Sequence, residues 1–244
     1  MLIFLKKKFF NIMMCGFFVC GLSLGTVQLA AHPRLEEWQR QNVVISQVKT
    51  DRKLVSLTFD DGPHPIHTAK ISEILKNHDA RATFFMTGQR AEKNPEIVQK
   101  VIADGHEIGN HSYSHVNYSH LDTEAQLYDF HKADKVITEI TGYAPVLFRP
   151  PGGYLSTSMV EQCKSEGIKI AYWTYKQDSK DWRNGVKGDY IADFILQRVE
   201  PGQIIILHDG CSNSDETTLA LTKLLPRLTA IGYQVVSMSE LMKS

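Results

Sequence analysis

The residues with the most chemical content lie in a few short clusters. Asp60 and Asp61 stand side by side in Thr58-Phe59-Asp60-Asp61-Gly62-Pro63, where an apolar run ends in a Gly-Pro turn. Adjacent carboxylates repel one another unless their roles differ, and a cation on one with a proton-accepting task for the other would separate them. Taken alone, the pair also reads as an acidic turn with Asp as cap. His111 and His115, in His111-Ser112-Tyr113-Ser114-His115, are four apart, so on a helical turn both imidazoles would share a face and could chelate one cation. Two structural histidines have the same spacing. In a His-Glu-x-x-His protease the residue after the first His is the base; here it is Ser112, so the base must come from elsewhere, and Asp60 is the candidate.

Three more clusters follow: Arg149-Pro150-Pro151-Gly152-Gly153, Asp178-Ser179-Lys180-Asp181-Trp182, and Ile206-Leu207-His208. Singly they are bland, with Arg149 and Asp178 an ordinary salt bridge, Trp182 a core aromatic and His208 a satisfied strand-end histidine. In this order, together with the first two, they resemble the polysaccharide deacetylase family, also called carbohydrate esterase family 4 or the NodB-homology domain. The resemblance spans roughly Leu54 to Val236.

The resemblance implies a distorted (β/α) barrel that binds zinc, or cobalt or nickel, through Asp61, His111 and His115, leaving one coordination position for water. It implies Asp60 as general base, His208 as the proton donor to the leaving amine, Arg149 orienting Asp60, and Asp178 holding Arg149. Substrate contacts fall to Gly152, Asp181, Trp182 and Leu207. Trp182 and Leu207 would wall the pocket for the acetyl methyl, which needs apolar contact. Many family members carry Tyr at the position of Gly152; a backbone N–H, which Gly keeps, would stabilise the oxyanion there.

The implied activity is hydrolysis of N-acetyl groups from N-acetylglucosamine-containing glycans such as peptidoglycan, chitooligosaccharide or exopolysaccharide, with release of acetate. The same machinery could act as an O-acetyl esterase on xylan. A non-catalytic glycan-binding domain is a further alternative, opposed by the intact Asp60, Asp61, His111, His115 and His208. A ferrous oxygenase also uses two His and one carboxylate, but the order of the five motifs speaks for hydrolysis.

The elements that must carry these residues alternate. Leu54–Phe59, Ala82–Met86, His106–Gly109, Val146–Arg149, Ile168–Tyr175, Ile204–His208 and Tyr233–Ser237 read as strands. Between them fall helical patterns: one around Ile71, Ile74 and Leu75, one opened by Asn94-Pro95, and others at Asp122–Thr141, Ser156–Glu166, Tyr190–Val199 and Thr217–Ile231. About seven strands alternating with helices predict an α/β domain with parallel pairing, as an open sheet or a barrel. The polar clusters fall just past predicted strands, on the face where barrels build active sites.

A chain of 244 residues, 43% hydrophobic, suits one domain. Basic and acidic residues balance at 27 each, which provides no basic surplus for nucleic acid. Lys6, Lys7 and Lys8 precede an apolar run, Phe9–Gly25, and small residues Ala30 and Ala31. That is the order of a signal peptide over residues 1–31, with a retained N-terminal anchor as the alternative and the sole route to membrane association. The protein is thus expected to be exported, to the periplasm, the cell envelope or the medium. Residues 32–53, polar and without clear period, read as an N-terminal extension, and 54–244 as the catalytic domain. Cys15 and Cys20 lie in the leader; Cys163 and Cys211 are too few for a disulfide framework and default to buried thiols. His64, His67 and His106 read as structural or cleft-lining.

Overall fold

The computed structural model describes residues 32–244. The expected signal peptide or anchor, with Lys6 to Lys8, Cys15 and Cys20, lies outside the described residues. Among those residues, no helix is long and apolar enough to cross a membrane.

Eight strands run β1 Val44–Ile45, β2 Leu54–Asp60, β3 Thr83–Met86, β4 Glu107–Asn110, β5 Leu147–Phe148, β6 Lys169–Ala171, β7 Ile204–His208 and β8 Gln234–Val235. The helices are α1 Leu35–Arg40, α2 His67–Asn77, α3 Gly88–Lys93, α4 Pro95–Ala103, α5 Thr123–Thr141, α6 Thr157–Ser165, α7 Gly188–Leu196, α8 Ser214–Ala230 and α9 Met238–Leu241. Every strand pair is parallel, in the order β1-β6-β5-β4-β3-β2-β7, with β8 added beside the first half of β2. The seven-strand path curls into a half-barrel. Between its edges, Gln47 just after β1 makes an antiparallel bridge to Gln203 just before β7, and Thr174 in the chain after β6 donates its N–H to the Ile204 carbonyl of β7 at 2.9 Å.

Burial on both faces explains why the strands read as apolar runs. All seven residues of β2 are buried. Its Val55, Leu57 and Phe59 pack with Ile71 and Leu75 of α2, Ile191 and Ile195 of α7, and Leu221 and Leu224 of α8. Period-two alternation then turns Ser56, Thr58 and Asp60 to the barrel interior. Parallel register sets Asp60 beside His208 and Thr58 beside Ile206, so the chemistry-bearing ends of β2 and β7 finish at the same level.

Helix boundaries follow local chemistry. Asp122 caps α5 by accepting from the Ala125 N–H at 2.9 Å, and Gly142 ends it in the left-handed conformation, φ 81°. Pro226 sits inside α8, which runs unbroken from Ser214 to Ala230.

Three expectations change. The polar segment 32–53 is not an extension outside the core: Trp38 is fully buried among Phe148, Ile170 and Cys163, and β1 pairs with β6 through Val44–Ile170 and Ile45–Ala171. A two-residue strand carries no period to read. The strand expected over Ile168–Tyr175 ends at Ala171, where the Arg149 side chain takes over the carbonyls of Ala171 and Tyr172 at 3.0 and 3.1 Å. Cys163 and Cys211 are both free, but only Cys163 is buried.

Trp38→Ala is expected to lower the unfolding free energy by about 3–5 kcal/mol in denaturant titration, the range for a fully buried large side chain. A loss under about 1 kcal/mol would mean that 32–53 does not support the core.

Candidate active site

The C-terminal ends of β2, β4, β5 and β7 converge. Asp60 is the last residue of β2, and the chain then turns through Asp61 in the left-handed region, φ 76°. That reversal sends the two carboxylates to different neighbours. Asp60, 3% exposed, accepts from Arg149 Nη1 at 2.7 Å, whereas Asp61 Oδ1 lies 3.4 Å from His111 Nε2 and 2.9 Å from His115 Nε2.

Arg149 follows β5 and is fully buried. Its Nη1 also donates to Thr58 Oγ1 at 2.8 Å, Nε to the Ala171 carbonyl and Nη2 to the Tyr172 carbonyl, while the guanidinium lies 4.1 Å over the Phe85 ring. Burial lowers its pKa and the Asp60 carboxylate opposes that shift. The guanidinium remains charged and fixes Asp60 from behind.

His111 follows β4. Its Nδ1 donates to the Arg149 carbonyl at 2.7 Å, which leaves Nε2 facing Asp61. Residues 111–115 are not helical. Ser112 and His115 both take positive φ, 67° and 58°. Asn110 Oδ1 accepts from the Ser112 N–H at 2.7 Å, Ser112 Oγ from the His115 N–H at 3.0 Å, and the Asp129 carboxylate of α5 from the Tyr113 and Ser114 amides. The four-residue spacing thus works through a braced loop, with the ring centroids 5.0 Å apart. Burial alone would raise the Asp61 pKa, but hydrogen bonds from His111 and His115 hold its carboxyl well below the usual carboxylate range. The same contact raises His115.

His208 ends β7. Asp181 accepts from its Nδ1 through Oδ1 and from its backbone N–H through Oδ2, each at 2.8 Å. Burial lowers the His208 pKa, but the Asp181 carboxylate, aided by Asp60 and Asp61, overrides it and raises the value to about 9. At neutral pH the imidazole therefore holds a proton.

Several expected roles need correction. Asp178 does not hold Arg149: its carboxylate accepts from the backbone N–H and the ammonium of Lys180, and backbone carbonyls occupy the guanidinium instead. Asp181 does not face substrate, because it is fully buried against His208 and the Thr217 hydroxyl. Leu207 is buried in the helix-side core, since strand alternation turns it away from His208, and Ile206 shares the His208 face. Trp182, 41% exposed, and Gly152, φ 60° with open space where a Cβ would stand, remain free to meet a ligand. Of the histidines left unassigned, His106 is buried and bonded to the Ser72 carbonyl, and the His64 and His67 rings lie tilted against one another with centroids 4.4 Å apart.

Two further residues belong to none of the five motifs. Arg90 donates to the Asp61 carbonyl, and the fully buried Asp209, raised to about 7 chiefly by burial, packs against Gly62 and the Thr68 hydroxyl. Asp209 adjoins His208 in sequence, which was the only available hint.

A carboxylate and an imidazole on neighbouring parallel strands lie beside an Asp-His-His cluster at the C-terminal rim of a half-barrel, where α/β enzymes of this architecture build their active sites. The sequence profile described as polysaccharide deacetylase matches residues 47–171. The chain belongs to the polysaccharide deacetylase family. It is 36% identical over 209 residues to a peptidoglycan-N-acetylglucosamine deacetylase of Bacillus cereus, covering 85% of this chain and 97% of that protein. It is 33% identical over 200 residues to a chitooligosaccharide deacetylase of Sinorhizobium fredii, covering 76% and 90%. Among solved structures, a peptidoglycan N-acetylglucosamine deacetylase in complex with an N-oxidanyl-benzamide superimposes with TM-score 0.81 at 31% identity, covering 85% and 96%.

Asp181→Asn removes the carboxylate that favours the His208 imidazolium, so the NMR titration midpoint of His208 in the metal-free protein should fall from about 9 towards the ordinary value of 6.5. Asp178→Asn should leave it in place. The reverse pattern would restore Asp178 as the functional carboxylate.

Proposed function

We propose that this protein is an exported, divalent-metal-dependent N-deacetylase of N-acetylglucosamine-containing glycans. The observation that carries the reading is the division of the Asp60-Asp61 pair, one carboxylate held by a buried arginine and the other by two imidazoles. The named activities of the relatives support the choice of bond and substrate class. The basic, apolar, small order of residues 1–31 supports export, and the catalytic unit is taken as 32–244.

Asp61, His111 and His115 each offer one ligand atom, all within 4.8 Å of one another. Two imidazole nitrogens and one carboxylate oxygen suit zinc, and also cobalt or nickel. The His111 ring is already oriented by the Arg149 carbonyl, the support that metal-ligating histidines need. A divalent cation held by these three residues would lower the pKa of a water and would polarise the acetamide carbonyl.

The rest falls to the chain's own groups. Asp60, aligned by Arg149, accepts a proton from the attacking water. The resulting hydroxide adds to the amide carbon. Gly152 N–H, which has no hydrogen-bond partner among the described residues, is free to stabilise the developing oxyanion. His208 passes its proton to the amide nitrogen as the C–N bond breaks, so that acetate and a free amine leave. Ile206 and Trp182 provide apolar surface for the acetyl methyl.

The zinc-loaded protein should release acetate and amine in equal amounts from N-acetylglucosamine oligomers and from peptidoglycan, and a chelator should abolish both. Acetate released solely from O-acetylated xylan would overturn the amide reading. Asp60→Asn should keep its zinc and lose about 10²–10⁴-fold in kcat; a wild-type rate would remove Asp60 as the base.

A further inference from the structure

Asp61 reaches His111 and His115 because its backbone turns into the left-handed region, a conformation that L-residues other than Gly, Asn and Asp seldom adopt. Such a conformation persists where the surroundings over-determine it. Arg90, on α3, supplies a restraint: its Nη1 lies 2.7 Å from the Asp61 carbonyl and 2.7 Å from the Gly210 carbonyl, on the loop after β7. Arg90 forms no ion pair among the described residues, so its guanidinium is committed to these carbonyls. The fit is tight. A Cβ on Gly210 would stand 2.1 Å from Arg90 Nη1 and 2.3 Å from the Asp61 carbonyl oxygen. On either side the turn is tied down by the Thr87 N–H to the Gly62 carbonyl at 2.8 Å and the Asp209 N–H to the Asp60 carbonyl at 3.1 Å. Arg90 and Asp61 also line one polar pocket with Thr87, Gln89, Ser114 and His115.

We propose that Arg90 is a positioning residue for the metal site, clamping the Asp61 backbone to the β7–α8 loop so that the Asp61 carboxylate is presented to the cation beside His111 and His115. Each carboxylate of the pair then has its own arginine: Arg149 holds the Asp60 side chain, and Arg90 holds the Asp61 main chain. Gly210 belongs to the clamp because any side chain there would enter it. The inference rests on the reading of Asp61 as a metal ligand.

Zinc affinity, measured by chelator competition without substrate, tests it, with the unfolding midpoint of the metal-free protein as the control for folding. Arg90→Met, which keeps apolar bulk and removes the donors, should weaken zinc binding about 10–100-fold, as loss of a supporting partner does. Arg90→Lys, whose ammonium retains donors, should recover part of that loss. If Arg90→Met fails to fold, Gly210→Ala tests the same contact from the opposite side and should weaken zinc in the same direction. Wild-type zinc affinity in a folded Arg90→Met or Gly210→Ala protein, alongside weakened affinity in Asp61→Asn, would overturn the clamp alone. Undiminished affinity in Asp61→Asn would remove Asp61 as a ligand, and the reading beneath the clamp would fall with it.

Discussion

The buried pair Arg149–Asp60 is the interaction on which the site depends. A guanidinium with no solvent contact is tolerable only when its charge is matched and its N–H groups have acceptors. Here Asp60 supplies the charge, and Thr58 Oγ1 with the carbonyls of Ala171 and Tyr172 supplies acceptors from β2, β6 and the chain just beyond. One side chain from the end of β5 therefore ties three segments together inside the barrel. It also ends β6 at Ala171, and its own carbonyl orients the His111 ring. The alignment of the Asp60 carboxylate, the length of β6 and the orientation of the His111 ring share a single cause.

A second buried pair mirrors the first. Asp181 holds His208 by side chain and backbone and keeps it protonated, while Thr217 from α8 fixes Asp181 in turn. Asp60 and His208 sit on paired strands in register, Asp60 bound to the buried Arg149 guanidinium and His208 to the buried Asp181 carboxylate. In the proposed reaction, opposed environments of this kind would let one site accept and donate a proton at the same pH. The Asp61-His111-His115 cluster lies beside them, assembled from a strained turn and a loop braced by Asp129.

Much of this was legible in the sequence because it depends on local pattern. Apolar runs alternating with helical faces produced the parallel half-barrel, and the polar residues at the strand ends fell where such folds place their sites. Readings failed where the deciding contact was long-range or the segment too short for a period. Nothing in Asp178-Ser179-Lys180-Asp181 says which carboxylate meets His208; Lys180, at φ 59°, donates its backbone N–H and ammonium to Asp178, and Asp181 is left to His208. The four-residue histidine spacing suggested a helix, but two left-handed residues, Ser112 held by the Asn110 side chain and His115 by the Ser112 hydroxyl, bring the rings together instead. Leu207 follows from strand alternation once His208 is known to face inward, and Trp38 with β1 became part of the core through partners more than 100 residues away. Arg90 and Asp209 were invisible for the same reason.

The metal centre is proposed at Asp61, His111 and His115, with Asp60 and His208 beside it. The most direct test is an anomalous-difference map from crystals of the protein grown with zinc. One strong peak is expected at about 2.0–2.2 Å from an Asp61 oxygen and from Nε2 of both histidines, with the remaining coordination position open towards Asp60. A peak on other residues, or none near these three, would contradict it.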